Sequence, residues 1–167
     1  MGAFQIMKLE VQISKKPSPC RLTFHADGSF GQGEPAFFLD YEINLSHNGS
    51  LEVFASKETG VCYCLEGFSW KLFSKARRER LSFGAVNDGQ LHFALDEDDP
   101  AEWGGSFGRE FELSAVDDER GLALYGEMPP SADVVRFACG QFVCLFKGEV
   151  VGFIIACPRF AFEVKDG

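Results

Sequence analysis

Three histidines, six cysteines and a dense run of carboxylates are the side chains here whose types could do chemistry. Histidine titrates near neutrality and is the commonest general base. His25 stands beside the turn signal Asp27-Gly28, His47 precedes Asn48-Gly49, and His92 falls on the polar side of an alternating run. None has a second His, or a carboxylate at the spacing of a metal site, so all three read as surface or turn residues. Cys20, Cys62, Cys64, Cys139, Cys144 and Cys157 lie mostly inside apolar runs. Free Cys behaves as a small hydrophobe, and six in 167 residues are too sparse for a disulfide framework. They read as reduced core residues. Cys62 and Cys64 alternate along one strand, which places both on the face opposite Val61, Tyr63 and Leu65. Structural zinc wants a second closely spaced pair, which Cys139 and Cys144 do not supply. A nucleophilic thiolate needs a partner His and an electropositive setting. No catalytic residue, metal or cofactor is therefore expected, and the chain reads as a non-enzyme.

Two glycine clusters have the outline of phosphate loops. Gly28-Ser29-Phe30-Gly31-Gln32-Gly33 lacks the following helix of a dinucleotide fingerprint and runs into Pro35. Gly104-Gly105-Ser106-Phe107-Gly108 lacks a Lys-Ser/Thr end. Both read as loops. Asp96-Glu97-Asp98-Asp99 lacks the glycine and terminal glutamate of an EF-hand loop. With Glu102 and Trp103 it still makes a long acidic loop that ends in an aromatic residue beside flexible glycines. Long loops carry function more often than short ones, and a buried aromatic is a common binding anchor. Asp96, Glu97, Asp98, Asp99, Glu102 and Trp103 are the candidate partner-binding residues. Lys71, Lys75, Arg77, Arg78 and Arg80 form a small basic patch that reads as a solvated turn.

The net charge of −9 argues against nucleic acid or an anionic membrane as partner, because both demand a basic footprint. It suits steering toward a basic protein. A membrane-spanning helix needs roughly 20 apolar residues. The longest apolar stretch, Val150 to Cys157, is strand-sized and contains Gly152. Met1 to Ile6 shows no basic segment followed by an apolar one, so no secretory signal is expected and the cytoplasm is the expected location. The length suits one domain over residues 1–167.

The elements that must position these residues are read from a beat of turn signals. His47-Asn48-Gly49, Glu58-Thr59-Gly60, Asn87-Asp88-Gly89, Asp117 to Gly121 and Lys147-Gly148-Glu149 each separate two runs rich in aromatic and β-branched residues. Asn and Gly accept the positive φ of hairpin turns, so each signal predicts a β-hairpin. Residues 67–80 fit either period, and a strand through Leu72 followed by a charged turn is expected. In Val134 to Phe146 and Val150 to Phe162 both strand faces are apolar, which means burial on both sides. The expectation is an all-β fold: an antiparallel meander of about ten strands, as a barrel or two-layer sandwich, with at most one or two short helices.

The functional expectation is a non-enzymatic intracellular protein-binding module. Its size, acidity and missing catalytic groups are those of small inhibitors and toxin-neutralising immunity proteins, which act by occluding a partner. That likeness is one of class alone. The alternative is a β-barrel that holds a small apolar ligand in its interior. A homodimer through the apolar C-terminal hairpin is a further expectation.

Overall fold

Alternation sets the elements. In Leu51–Ala55 the apolar residues Leu51, Val53 and Ala55 are buried, while Glu52 and Phe54 between them are half-exposed. The computed structural model describes residues 6–7, 9–25, 29–33, 41–45, 51–68, 77–78, 85–93, 104–107, 113–117, 122–126 and 131–156. In chain order the strands are β1 (Ile6–Met7), β2 (Leu9–Ile13), β3 (Leu22–Phe24), β4 (Ser29–Gln32), β5 (Tyr41–Asn44), β6 (Leu51–Ala55), β7 (Val61–Phe68) and β8 (Arg77–Arg78). They continue as β9 (Val86–Phe93), β10 (Gly104–Phe107), β11 (Leu113–Asp117), β12 (Leu122–Gly126), β13 (Asp133–Ala138), β14 (Gln141–Phe146) and β15 (Glu149–Ala156). No helix occurs among the described residues, and none is long and apolar enough to cross a membrane.

The fold is all-β, and the strands follow the order β1-β10-β5-β6-β7-β9-β13-β14-β15-β12-β11-β8 without closing into a barrel. β9 joins two halves of this sheet. Val86, Asn87 and Asp88 pair with β13, whereas Gly89 to Phe93 pair with β2, and Leu91 and His92 also with β7. A strand that changes partners in this way is how a sheet turns back on itself. One apolar cluster gathers Ile43, Val53, Leu65 and Leu91 from the first half with Val135, Phe137, Val143 and Phe153 from the second. The halves therefore share a core, as in a sandwich. Phe137 and Phe153 meet edge-to-face at 6.3 Å within it.

Four of the five turn signals join antiparallel neighbours: β5 to β6, β6 to β7, β11 to β12 and β14 to β15. Lys147 and Gly148 take the positive φ that a tight hairpin turn asks for. The fifth is corrected. Asn87-Asp88-Gly89 lies inside the unbroken strand β9, where Gly89 is buried against the backbone of β2. A turn that the sequence reading missed falls at Cys139-Gly140, where Gly140 has φ 69° and splits β13 from β14. The two glycine clusters read as loops also contribute strands, β4 and β10, and Arg77–Arg78 pairs with β11 rather than forming a turn.

Nor is the pairing a simple meander. β1 with β10, β10 with β5, β11 with β8 and β13 with β9 are all parallel. The C-terminal hairpin is two-faced as expected. Val135, Phe137, Val143 and Phe153 enter the shared core, whereas Val134, Cys144, Val151 and Ile154 form a second buried cluster on the other face.

Candidate functional site

The acidic face of β5, β6 and β7 is where the described residues gather charge. The registers of β5 with β6 and of β6 with β7 place Glu52 opposite Glu66 and Glu42 opposite Phe54. Glu42, Glu52 and Glu66 then share the face that points away from the core. One carboxylate oxygen from each lies within 4.8 Å of the others, with Glu42 exposed and Glu52 half-buried. Like charges directly opposite across strands are destabilising. Burial, and then the adjoining Glu42 carboxyl, push Glu52 up to about 8. Glu66 is raised as well, by burial first and then by the Glu42 charge, while the nearby His25 pulls it down. At neutral pH such a group shares protons among its oxygens or welcomes a cation. Three converging carboxylates suit the ammonium of a lysine, a compact cation with three donors.

A pH dependence follows. A carboxyl raised in the fold contributes stability that is complete below its ordinary value of 4.5 and is lost as pH rises through about 8. Glu52 is half-exposed, so solvent screening reduces the loss to about 1–2 kcal/mol. Urea midpoints should fall between about pH 5 and pH 9, and E52Q should flatten that fall. An equal slope in E52Q would place the strain elsewhere.

A second centre lies around Gln141, whose side chain is fully buried at the start of β14. Its carbonyl oxygen accepts from the Leu65 N–H at 2.6 Å. Its amide donates to the Cys20 carbonyl at 3.2 Å and to the Cys139 carbonyl at 3.4 Å. The Cys139 N–H donates to the Cys20 carbonyl as well, at 3.2 Å. One side chain thus clamps three chain segments.

The cysteines divide in a way that alternation alone does not give. Val53 faces Leu65 and Phe54 faces Cys64, but Ala55 faces Cys62, so Tyr63 is an extra residue in β7. A β-bulge of this kind rotates the side chains that follow it. Cys62 therefore enters the main core, whereas Cys64 and Tyr63 pack with Cys20 in a separate cluster. The expectation that Cys62 and Cys64 share a face is overturned by that one inserted residue. The described cysteines are free thiols, buried except for Cys139. Burial raises the Cys62 thiol and pushes Cys144 up to about 12. Alkylation of the native protein followed by mass mapping should label Cys139 well before Cys62 or Cys144. Equal rates would contradict this packing.

The histidines have modest surroundings. His25 is exposed, and His92 is half-buried with its Nε2 2.9 Å from the Gln90 side-chain oxygen. Burial first, and then the Lys15 charge, depress His92, against the Glu10 charge that raises it. His47 lies outside the described residues.

The partner-binding candidates Asp96, Glu97, Asp98, Asp99, Glu102 and Trp103 also lie outside the described residues. The residue after Trp103 does not: Gly104 begins β10 and stands in register with Glu42. Glu42, Glu52 and Glu66 were legible only in part. Each sits on the polar side of an alternating run, and the register of β6 with β7 pairs Glu52 with Glu66. No protein-family model matches the chain, and no curated protein matches it.

Proposed function

We propose that this chain is a non-enzymatic protein-binding module that takes a basic partner on the face formed by Glu42, Glu52 and Glu66. The observation that carries the reading is the gathering of three carboxylates within 4.8 Å on one sheet face. Holding them together costs folding stability, and a cationic side chain from a partner relieves that cost on contact. The net charge of −9 adds long-range attraction for the same class of partner. An inhibitor or immunity-type protein acting by occlusion is the form of this reading we favour, working in the cytoplasm, where unpaired cysteines suit a reducing compartment.

Against the alternative, the sheet of the described residues is not closed into a barrel. The second face of the C-terminal hairpin already buries Val134, Cys144, Val151 and Ile154 within the single chain, which leaves a homodimer little to gain there.

A lysine-rich peptide titrated calorimetrically against the protein tests the reading. Binding should weaken steeply with salt, since the screening length is about 10 Å at 0.1 M ionic strength. The triple variant E42Q/E52Q/E66Q should lose at least about tenfold in affinity, which is about 1.4 kcal/mol. The control E58Q/E149Q removes exposed carboxylates elsewhere and should bind as before. Equal losses in both variants would reduce the effect to net charge. Calcium binding in place of the peptide would reassign the face to a metal ion.

A further inference from the structure

We propose that Cys20 and Cys64 form an oxidisable dithiol, closed to a disulfide by a peroxide that enters through the cleft beside Tyr63. This goes beyond the partner-binding reading and does not depend on it.

The pair is built by the fold. Cys20 lies just before β3 and Cys64 lies in β7, and both are buried in one small cluster with Tyr63, where Cys20 donates to the Arg21 carbonyl at 3.6 Å and Cys64 to the Leu65 carbonyl at 3.4 Å. Gln141 holds the backbone on both sides, through the Cys20 carbonyl and the Leu65 N–H. Cys64 follows the alternation from Leu65 onto the face away from the main core, and the Tyr63 bulge keeps Tyr63 there beside it, with Cys20, while turning Cys62 inward. Cys62, two residues earlier, is a counterexample within the same strand, because it is sealed in the main core.

A surface cleft of about 430 Å³ is lined by Ser18, Pro19 and Tyr63, together with Lys16, Thr59 and Gln90. Ser18 and Pro19 run directly into Cys20, and Tyr63 packs on both thiols. Tyr63 thus borders both the cleft and the thiol cluster. The two thiols are also unlike. The neighbouring Cys64 thiol holds Cys20 below its ordinary value, while the nearness of Cys20 and burial hold Cys64 high. Cys20 follows the cleft residues Ser18 and Pro19 directly and is the attacking sulfur, with Cys64 the resolving one.

The chemistry balances with hydrogen peroxide as oxidant. The Cys20 sulfur attacks one peroxide oxygen, the O–O bond breaks, and the departing hydroxide takes the Cys20 proton and leaves as water. Cys20 is now a sulfenic acid. The Cys64 sulfur then attacks the Cys20 sulfur and the S–O bond breaks. The hydroxide that leaves takes the Cys64 proton as a second water. Two thiols have lost two electrons and two protons, and one peroxide has become two waters.

The test uses the full chain, reduced and then exposed to a small molar excess of hydrogen peroxide, with alkylation and non-reducing peptide mapping. Two of the six thiols should disappear, in one crosslinked product that joins the Cys20 and Cys64 peptides and that dithiothreitol reverses. Y63A should speed the crosslink several-fold. C64S should leave Cys20 as a sulfenic acid that a 1,3-diketone probe labels. Should C64S fail to fold, the mapping of the unaltered chain decides alone. Oxidation confined to Cys139, or a crosslink from Cys20 to Cys139, overturns the assignment. An unchanged rate in Y63A overturns the access route.

Discussion

Gln141→Leu is expected to destabilise the protein by about 3 kcal/mol or more, read as a lower urea midpoint at unchanged m value. The reason lies in a gap in the sheet. On the side of β7 away from β6, β9 pairs only with Val61 and Cys62, and β4 only with Gly67 and Phe68. The Leu65 N–H falls between them, and the Gln141 side chain satisfies it at 2.6 Å in place of a strand. Leucine fills similar space but accepts nothing. It also strips the Cys139 carbonyl of a donor and leaves the Cys20 carbonyl with the Cys139 N–H alone. An orphaned buried polar group costs about 1–3 kcal/mol; the Leu65 N–H becomes one, and the loss of both amide contacts at Cys20 and Cys139 adds to it. Gln141→Glu keeps an acceptor but buries a carboxylate that cannot donate, and should do no better. A loss under about 1 kcal/mol for Q141L would mean that the neighbouring strands close the gap themselves.

Gly89→Ala should be comparably costly, about 3 kcal/mol or more. A Cβ at this position would stand 2.6 Å from the Gln12 carbonyl oxygen, 2.7 Å from Val135 Cγ1 and 3.2 Å from the Ile13 Cα. The Val135 methyl can rotate, but the β2 backbone cannot retreat without breaking its ladder with β9 at Ile13 and Gly89. Two comparisons sharpen the test. In a hairpin turn with positive φ, asparagine is a good replacement for glycine. Here G89N should fail as badly as G89A, because space and not backbone conformation is what the site lacks. At Gly148 the situation reverses. Nothing lies within 4 Å of an added Cβ and φ is +79°, so G148N should be tolerated far better than G148A. Tolerance of G89N would restore the hairpin reading of Asn87-Asp88-Gly89.

These two glycines also show what was legible in the sequence. Four hairpins could be read because turn chemistry is local: Asn48-Gly49 or Lys147-Gly148 needs no knowledge of the rest of the chain. Gly89 has the same local signature but a different reason to be glycine, the approach of a strand some 75 residues away in sequence. The faces of Cys62 and Cys64 turned on one bulged residue, Tyr63, which shifts the alternation without any marker of its own. The two-faced C-terminal hairpin was legible because double burial shows directly in composition. The acidic face was half legible. The polar positions of Glu42, Glu52 and Glu66 follow from alternation, but their convergence needs the registers of two consecutive hairpins. Parallel pairings leave no local signal at all, and all four were missed.

Those parallel pairings have a consequence for how the protein is made. Ile6 faces Ser106 and Met7 faces Phe107, and β10 then lies along β5. Chain segments this far apart must meet before the pairing returns any stabilisation, so the search is long, and folding in the millisecond-to-second range is the natural expectation for such a topology. During synthesis β5 and β6 emerge well before β10, and the outer edge of β5 then presents a row of open N–H and C=O groups. An edge of that kind templates the nearest available strand, including one from another nascent copy. The interval before residues 104–107 arrive is therefore the period of greatest aggregation risk, and it is then that a chaperone would matter most to this chain.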